Sequence, residues 1–313
     1  MTKRPDVCVS LISTNTRELL RDCLESVHAP GRRAHIETYV VDNASSDGTA
    51  AMLTERFPEV RVITNGARRG YGANHNQVFA RSTARYVLVL NEDTRLEAST
   101  IDTMVAFMDR TPDAGVAGCK VVYGDGSLQR NAGRFPSIVG EFLHFGFNVT
   151  RLGKTWYYDW KFMEDWGYDR TRAVDWVSGC FFLVRRDVLQ ALGGFHPDIF
   201  IYFEDAEFCL RMTRRTPFRT YYCGDTTIVH YHGRSFNPEI FDRERFAFEG
   251  SCVYVRTAYG RAVERCYRTA CRLLWRCSSF GVAVLHLLGG GRSPRVSRKR
   301  KFYRHLLSAR GNS

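Results

Sequence analysis

The sequence predicts an α/β protein with a mostly parallel sheet flanked by helices, followed by a basic helical extension at its C-terminal end. Four β-rich runs begin 24 to 29 residues apart, which is the spacing of a strand with its crossover helix. They cover residues 7–13, 36–41, 60–63 and 86–90. These runs are apolar almost throughout, which is typical of parallel strands covered on both faces.

Amphipathic helices are predicted between the strands, because apolar residues recur there at helical spacing. One stripe is formed by Leu19, Leu20, Cys23, Leu24 and Val27, and another by Ile101, Met104, Val105 and Met108. Beyond residue 115 the pattern becomes mixed. It includes an aromatic segment, 156–168, which we interpret either as a flap covering the core or as a lid that contacts an acceptor.

The charge of the chain is unevenly distributed. The 313 residues, 44% of them hydrophobic, suit one large or two modest globular domains, and the net charge is +12. Residues 261–313 hold 13 of the 45 basic and one of the 33 acidic residues, so 1–260 carry 32 of each sign. A neutral body argues against a main domain that binds nucleic acid.

The ten cysteines and the apolar runs point to a cytoplasmic protein. The cysteines occur singly, without a C-x-x-C pair, and we expect reduced thiols. The start of the chain lacks the apolar stretch of a signal peptide, and the longest apolar run, 281–288, is interrupted by His286. We therefore expect a cytoplasmic protein that can still lie on the inner face of the cell membrane.

Polar residues follow two of the predicted strands. Strand two runs into Asp42, and strand four runs into Asn91, Glu92 and Asp93. Ligands of open α/β sheets bind outside the carboxyl ends of the strands. We therefore expect a ligand site at this edge of the sheet.

Four segments resemble successive motifs of the family 2 glycosyltransferases of the GT-A fold, above all the bacterial rhamnosyltransferase-like branch. They are VDNASSDGT, LNEDTRL, VDWVSGCFFLVRRDVLQALGGF, and IYFEDAEFCLR followed by IVHYHGRSF. The segments occur in family order over roughly residues 6–236. The resemblance implies a GT-A domain over 1–240, with a nucleotide-binding half 1–115 and an acceptor-binding half 116–240. Residues 241–313 then form a helical, basic tail.

The resemblance implies that Asp42 accepts a hydrogen bond from the base of a nucleotide; the alternative is that Asp42 forms an Asx turn. Thr14 and Asn15 would line the same pocket. Family members usually have Tyr where this chain has Thr14, so stacking on the base by that residue is not expected. The implied set also includes Asn91.

A glycine-rich loop, 66–77, lies between strand three and the next helix. Glycines allow the backbone to approach phosphate closely, and a helix N-terminus favours an anion. We expect Arg69 and Asn74 to contact the ribose or the diphosphate. The floor between donor and acceptor is assigned to Trp176, Ser178 and Gly179, with Trp176 either stacking on a sugar or lying in the core.

The resemblance also implies a divalent cation, Mg²⁺ or Mn²⁺, which neutralises the leaving diphosphate. Asp93 occupies the last position of the acidic metal motif, and His230 matches the histidine that closes the metal site in several relatives. Glu92 is either an added ligand or a solvated side chain. His232 is an alternative to His230, and a purely structural histidine is a further alternative.

Transfer to an alcohol requires a general base, and the family places that base at Asp205. Neighbouring side chains on a helix diverge by ~100°, so only one of Glu204 and Asp205 can point at the sugar. Glu204 would therefore orient Asp205 or bind the acceptor. Both residues could instead cap the helix that follows. Direct displacement by one hydroxyl implies inversion at the anomeric carbon.

These assignments predict an inverting, metal-dependent transferase that moves a sugar from a nucleoside-diphosphate sugar, dTDP-rhamnose or a UDP-hexose. The acceptor would be a saccharide or a lipid-linked saccharide in cell-surface polysaccharide or glycolipid assembly. The alternatives are a sugar nucleotidyltransferase, disfavoured because VCVSLISTNTREL lacks its glycine-rich, lysine-bearing signature, and a non-catalytic binding module.

The tail, 261–310, is predicted to dock on an anionic membrane surface. Its arginines recur along one side of a helix at 261, 265, 268, 272 and 276. We expect apolar surface around them from Tyr267, Ala270, Leu274 and Trp275. The run 282–288 would insert shallowly, and the cluster 298–301 would bind acidic lipid. Packing of this helix on the catalytic domain and dimerisation are the alternatives; nucleic-acid binding is not expected.

Overall fold

The computed structural model describes residues 4–147, 156–231, 240–287 and Leu307. The chain divides into two compact units. Unit 1 comprises Met1–Phe135 and Asp159–Asn237, and unit 2 comprises Pro136–Tyr158 and Pro238–Ser313.

Unit 1 is built on a ten-stranded sheet and a two-stranded sheet formed by β8 and β10. The strands, in chain order, are β1 (Val7–Ser13), β2 (Ile36–Asp42), β3 (Arg61–Thr64), β4 (Tyr86–Leu90), β5 (Thr94–Leu96), β6 (Ala114–Val122), β7 (Leu128–Gln129), β8 (Ala132–Gly133), β9 (Arg172–Val174), β10 (Trp176–Val177), β11 (Phe181–Arg185) and β12 (Arg219–His230). The order in the main sheet is β3-β2-β1-β4-β11-β6-β12-β5, with β7 paired to β6 and β9 to β12.

The helices flank these sheets or form unit 2. In chain order they are α1 (Arg17–Val27), α2 (Thr49–Arg56), α3 (Tyr71–Phe79), α4 (Thr100–Arg110), α5 (Ile138–Phe147), α6 (Trp156–Lys161), α7 (Arg186–Leu192), α8 (Glu204–Arg215), α9 (Ile240–Tyr259) and α10 (Arg261–Leu287).

The prediction of a mostly parallel α/β sheet flanked by helices is confirmed. β1 pairs in parallel with β2 on one side and β4 on the other, and β2 pairs in parallel with β3. Every residue of β1 and β4 is buried, as expected for strands with both faces covered. β3 is largely exposed because it is an edge strand. β11 enters antiparallel between β4 and β6.

The strand order creates a crevice at the carboxyl ends of β1 and β4. The chain runs from β1 outward to β3 and then returns to the other side of β1 as β4. In open α/β sheets such a switch point is where ligands bind. The fold therefore brings the residues after β1, β2 and β4 to one edge.

The aromatic segment 156–168 contributes to the core in its second half. Trp166 and Tyr168 are buried, and both rings pack edge-on against Tyr222, at 4.8 Å and 5.4 Å between centroids. This part of the segment supports the interpretation as a flap covering the core. Trp156, at the start of α6, is 69% exposed.

In unit 2, α10 packs against α5 and α9. The Trp275 indole N–H donates to the Phe145 carbonyl at 2.7 Å, and its ring lies 4.6 Å from that of Phe248. The Tyr267 hydroxyl lies 3.0 Å from Ser251 Oγ. No helix within the described residues combines the length and apolar character needed to cross a bilayer.

The packing of α10 corrects the prediction of its apolar surface. Tyr267 and Trp275 were expected on an exposed face, which is wrong, because both are buried in unit 2. Arg268 does not belong to an exposed arginine row either: its guanidinium binds Glu249 at 2.6 Å and Glu264 at 2.7 Å. The side chains of 282–288 and the cluster 298–301 lie outside the described residues.

Candidate active site

Backbone strain marks the edge of the sheet where the crevice opens. Among the described residues, six non-glycine residues have positive φ, and four of them flank the predicted site residues: Asn15, Ala44, Tyr202 and Phe203. Such conformations cost free energy and concentrate at functional sites. Tyr202 and Phe203, both at φ 71°, directly precede Glu204 and set the direction in which α8 begins.

Asp42 ends β2 opposite Ser13, the last residue of β1. It is buried, and its Oδ1 accepts the backbone N–H of Ser45 at 2.9 Å, so the turn that the sequence left as an alternative is present. Asn15 joins the same loop, since its Oδ1 accepts Ser46 N–H at 2.7 Å. Thr14 Oγ1 accepts a long hydrogen bond of 3.4 Å from the Asn43 amide.

The loop 66–70 is organised by buried amides. The Asn74 amide donates to the Arg69 carbonyl at 3.2 Å, and its Oδ1 accepts from Asn65 at 2.7 Å. The Arg69 N–H donates to Asn43 Oδ1 at 2.9 Å. Asn74 is therefore buried and bonded within the protein, whereas the Arg69 side chain is exposed at the edge.

Asp93 and His230 form a buried pair. His230 Nε2 lies 3.1 Å from Asp93 Oδ1, and Nδ1 lies 3.0 Å from Gln129 Oε1. Burial lowers the pKa of His230, but its interactions with Cys180 and Asp93 outweigh burial and raise the pKa to about 10. The imidazole is thus held protonated between two oxygen acceptors.

Glu92 is not solvated, contrary to one of the two interpretations of this residue. Its side chain is buried, and Oε1 accepts the Thr16 hydroxyl at 3.1 Å. Thr16 in turn lies 3.0 Å from Ser13 Oγ. Burial, with the neighbouring charge of Asp93, raises the pKa of Glu92 to about 8.

A chain of close polar contacts connects the Asp93–His230 pair to Asp205. Asn91 Nδ2 lies 3.3 Å from His230 Nε2, and Asn91 Oδ1 accepts the Tyr71 hydroxyl at 3.1 Å. The same hydroxyl lies 2.9 Å from the Gly179 carbonyl, so these two acceptors share its single proton. The Gly179 N–H donates to Asp205 Oδ2 at 3.2 Å. Residues from five separate segments are thereby fixed relative to one another.

Asp205 and Glu204 are two neighbouring carboxyl groups at the start of α8. Asp205 Oδ1 accepts the Ala206 N–H at 2.7 Å, which helps to fix its orientation. Glu204 is 7% exposed, and its Oε2 has no hydrogen-bond partner within the described part of the chain. Burial, followed by repulsion from Asp205, raises the pKa of Glu204 to about 8, and burial also raises that of Asp205. Repulsion between the two neighbouring carboxylates disfavours the state in which both are ionised.

The segment 176–179 divides between core and site. Trp176 is 7% exposed, and its indole N–H donates to the Arg134 carbonyl at 2.8 Å, so it lies in the core and presents no ring to a sugar. Ser178 N–H donates to the Asn131 carbonyl at 2.7 Å. A Cβ at Gly179 would lie 3.0 Å from the Tyr71 hydroxyl, so a larger residue there would displace that hydroxyl.

Sequence reasoning missed Tyr71 and Gln129, which position the predicted residues. Tyr71 bonds to residues 20 and 108 positions away, and Gln129 contacts a histidine 101 positions away. No local pattern carries such pairings. His232, the alternative to His230, lies outside the described residues.

The carboxylate of Asp93 and the imidazole of His230 are side chains of the kinds that bind divalent cations. A carboxylate oxygen and an imidazole nitrogen 3.1 Å apart share a proton that a cation can displace. Within residues 4–147, 156–231 and 240–287 there is no cluster of three or more His, Cys, Asp or Glu side chains arranged to hold a metal ion. A cation held by this pair would take its other ligands from a substrate or water.

Comparisons with known proteins agree with this geometry. The family model described as Glycosyltransferase like family 2 matches residues 5–248. The chain is 28% identical over 214 residues to an N-acetylglucosaminyl-diphospho-decaprenol L-rhamnosyltransferase of Mycobacterium tuberculosis, covering 64% of this chain and 68% of that protein. It is 24% identical over 248 residues to the rhamnosyltransferase WbbL of Escherichia coli K12, covering 75% and 88%.

The fold is also similar to that of a solved glycosyltransferase. A mannosyltransferase from Pyrobaculum calidifontis, in complex with GDP-Man and Mn²⁺, superposes with a TM-score of 0.56 at 16% identity, covering 98% of this chain and 86% of that one. The sheet order, the edge that gathers the acidic residues and the family match over most of the chain lead to one conclusion. The chain belongs to the family 2-like glycosyltransferases, has the GT-A fold and is similar in sequence to bacterial rhamnosyltransferases.

Proposed function

We propose that this enzyme transfers a sugar, with inversion, from a nucleoside-diphosphate sugar to an acceptor hydroxyl. dTDP-rhamnose and a UDP-hexose are the candidate donors. The observation that carries the proposal is Asp205, a carboxyl group held by two backbone N–H groups and connected through Gly179, Tyr71 and Asn91 to the Asp93–His230 pair. One network of polar contacts thereby supports both the general base, Asp205, and the site proposed for the diphosphate at Asp93 and His230.

In this proposal the donor binds along the carboxyl ends of β1, β2 and β4. Asp42, whose Oδ1 forms the turn, accepts the base N–H through its other oxygen, and Thr14 and Asn15 line the pocket. Arg69 pairs with the diphosphate, and buried Asn74 supports the loop that carries Arg69. The space for the donor sugar is lined by Asn91, Ser178 and Gly179.

Mg²⁺ or Mn²⁺ is the proposed cofactor, held by Asp93 and His230. When bound, such a cation neutralises charge on the departing diphosphate. The solved mannosyltransferase of similar fold contains Mn²⁺ together with its nucleotide sugar, which supports the assignment.

Asp205 is the proposed general base. It takes the proton of the acceptor hydroxyl as that oxygen forms its bond to the anomeric carbon, and the bond from this carbon to the diphosphate oxygen breaks. Attack from the face opposite the leaving group inverts the anomeric configuration. Burial and repulsion from Asp205 favour the protonated form of Glu204.

The proposed acceptor is a lipid-linked saccharide used in cell-surface polysaccharide or glycolipid assembly. The support is the Mycobacterium tuberculosis relative, whose name describes transfer to an N-acetylglucosaminyl-diphospho-decaprenol. Such an acceptor is embedded in a bilayer, so the enzyme would act at a membrane surface.

A panel of nucleotide sugars, incubated with the enzyme with and without EDTA and scored for the released nucleoside diphosphate, tests the proposed function. We expect release with dTDP-rhamnose or one UDP-hexose, and suppression of release by EDTA. Release of pyrophosphate from a nucleoside triphosphate and a sugar phosphate would instead identify a nucleotidyltransferase. Binding of a nucleotide sugar without turnover on any acceptor would identify a binding module.

Glu204→Gln is expected to stabilise the fold increasingly as pH rises. Glu204 titrates near 4.5 when unfolded and about 8 when folded, so between these values the folded state binds the extra proton and stability falls with rising pH. Gln cannot ionise, so the variant escapes this loss. Melting temperatures at about pH 5 and about pH 9 should diverge by a few degrees or more at the higher pH. Near neutral pH we expect most of the activity to remain.

Glu97→Gln, which makes the same substitution at an exposed position, provides the control for this measurement. A Glu204→Gln melting curve that follows the parent protein at every pH would show that Glu204 is ionised in the fold.

Tyr71→Phe is expected to lower kcat more than it affects donor affinity. The variant removes the hydroxyl that holds the Gly179 carbonyl, and so loosens the peptide that positions Asp205. Loss of a buried donor costs about 1–3 kcal/mol of stability. Steady-state kinetics and nucleotide binding by calorimetry separate the two effects.

Tyr222→Phe is the matched control, because that buried hydroxyl also donates to a backbone carbonyl, of Tyr168, at 2.9 Å. It should lose similar stability with kcat intact. Equal kcat in both variants would mean that Tyr71 is a structural residue only.

A further inference from the structure

The outward face of α10 carries a narrow apolar stripe. Its members recur at spacings of three or four residues, so they lie on one side of the helix. We call the following residues the outer stripe: Ala262, Cys266, Thr269, Leu273, Cys277 and Phe280. Leu273 is 52% and Phe280 73% exposed, whereas Cys271 and Trp275 on the opposite side are buried in unit 2.

Arginines line one flank of the outer stripe. Arg265, Arg272 and Arg276 follow the stripe at helical spacing on the same side, and Arg265 and Arg276 are exposed. The one acidic residue of 261–313, Glu264, lies on the inner side of the helix and binds Arg268. The exposed face of α10 is therefore apolar along its centre and cationic along one edge.

We propose that the outer stripe of α10 docks on an anionic lipid bilayer, with the helix lying in the plane of the membrane. Leu273 and Phe280 enter the boundary between headgroups and acyl chains, and Arg265, Arg272 and Arg276 bind lipid phosphates. A helix with an apolar face and cationic flanks has this mode of binding. The arrangement replaces the docking face predicted from the sequence, which contained the buried Tyr267 and Trp275.

Charge favours a bilayer over a second copy of the chain. In a symmetric dimer the same patch faces itself, which would bring the arginine flanks of two helices close together. Like charges placed opposite one another disfavour association, and two large apolar side chains offer a small area for a stable dimer. An anionic surface instead places negative charge opposite the exposed Arg265 and Arg276.

The proposal rests on the proposed function in one respect only: docking would be useful because it brings the catalytic unit to a lipid-linked acceptor. Its test does not measure sugar transfer. Docking can therefore fail while the enzyme remains a glycosyltransferase, and docking can hold while the proposed transfer reaction fails. Truncation before α10 is unsuitable as a test because it would remove the buried Tyr267, Cys271 and Trp275.

The experiment is flotation of the full chain with vesicles of phosphatidylcholine, with or without phosphatidylglycerol. We expect binding to the anionic vesicles alone, weakened by high salt. We expect two double variants to lower the partition coefficient of the protein between vesicles and solution by about tenfold or more. One variant combines Leu273→Ser with Phe280→Ser, and the other combines Arg265→Gln with Arg276→Gln.

Matched controls are exposed residues elsewhere on the chain. Val139→Ser alters an apolar side chain on α5 that is 61% exposed, and Arg33→Gln with Arg56→Gln removes two exposed charges from unit 1. Both controls should float like the parent protein, and circular dichroism should show all variants folded.

Three results would overturn the proposal. The parent chain could remain unbound to anionic vesicles in low salt, or the outer-stripe variants could float as well as the parent. Light scattering could also show a dimer that becomes monomeric on substitution of Leu273 and Phe280 while vesicles are not bound, which would assign the stripe to a second copy.

Discussion

Asp205→Asn is expected to lower kcat for sugar transfer by roughly 10²- to 10⁴-fold, the contribution of a positioned general base. The amide fills the same volume, but it cannot accept the acceptor proton, and its single oxygen can accept only one of the Gly179 and Ala206 N–H groups. Donor affinity should stay close to that of the parent enzyme, because the substitution lies on the acceptor side of the network. Single-turnover kinetics and nucleotide binding by calorimetry provide the two measurements.

The control for this variant is Asp175→Asn. Asp175 also accepts a backbone N–H, that of Phe135 at 2.8 Å, but it lies outside the network that leads to Asp93. Its kcat should be unchanged. If Asp205→Asn retained most of the parental rate, another group would have to remove the proton.

Asp93→Ala is expected to weaken donor binding in Mn²⁺ or Mg²⁺ by at least about 10- to 100-fold, the loss that even an outer partner of a metal site causes. In EDTA the donor affinities of variant and parent should be nearly equal, because the carboxylate acts through the cation. Calorimetry with the nucleoside diphosphate in both conditions measures this, and Mn²⁺ binding followed by electron paramagnetic resonance provides a readout without turnover.

Asp93 is buried beside His230, so its removal can also disturb the fold. Asp93→Asn preserves the volume and serves as the companion variant, with the melting temperature recorded for both. An equal loss of donor affinity with and without metal would assign Asp93 a structural role and would contradict the proposed metal site.

The pattern of apolar runs determined the first four strands of the chain. β1 and β4 have the bounds that the sequence predicted, and β2 extends one residue further, to Asp42. A run of β-branched and aliphatic residues that ends in a polar turn is a local pattern, so it can be recognised without knowing how the rest of the chain folds. The same local signal placed Asp42 and Asp93 at strand ends, and hence at one edge of a parallel sheet.

Burial was decided only by the tertiary structure, because it depends on partners far away in the sequence. Glu92 is buried against Thr16, 76 positions earlier, and Trp176 against the Arg134 carbonyl, 42 positions earlier. Neither contact has a local pattern, so a solvated carboxylate and a sugar-stacking indole were equally consistent with the sequence. The Tyr71 network that joins the two halves of the site is hidden for the same reason.

The helix α10 shows this division within one element. Its sequence determined an amphipathic, arginine-rich helix, because helical spacing and charge are properties of neighbouring residues. Which face is exposed was decided by α5 and α9: the Trp275 N–H is bonded to the Phe145 carbonyl, 130 positions away, and that contact turns the outer stripe outward. A helix rotates about its axis without any change in its own hydrogen bonds, so only the surfaces that it packs against can fix its orientation.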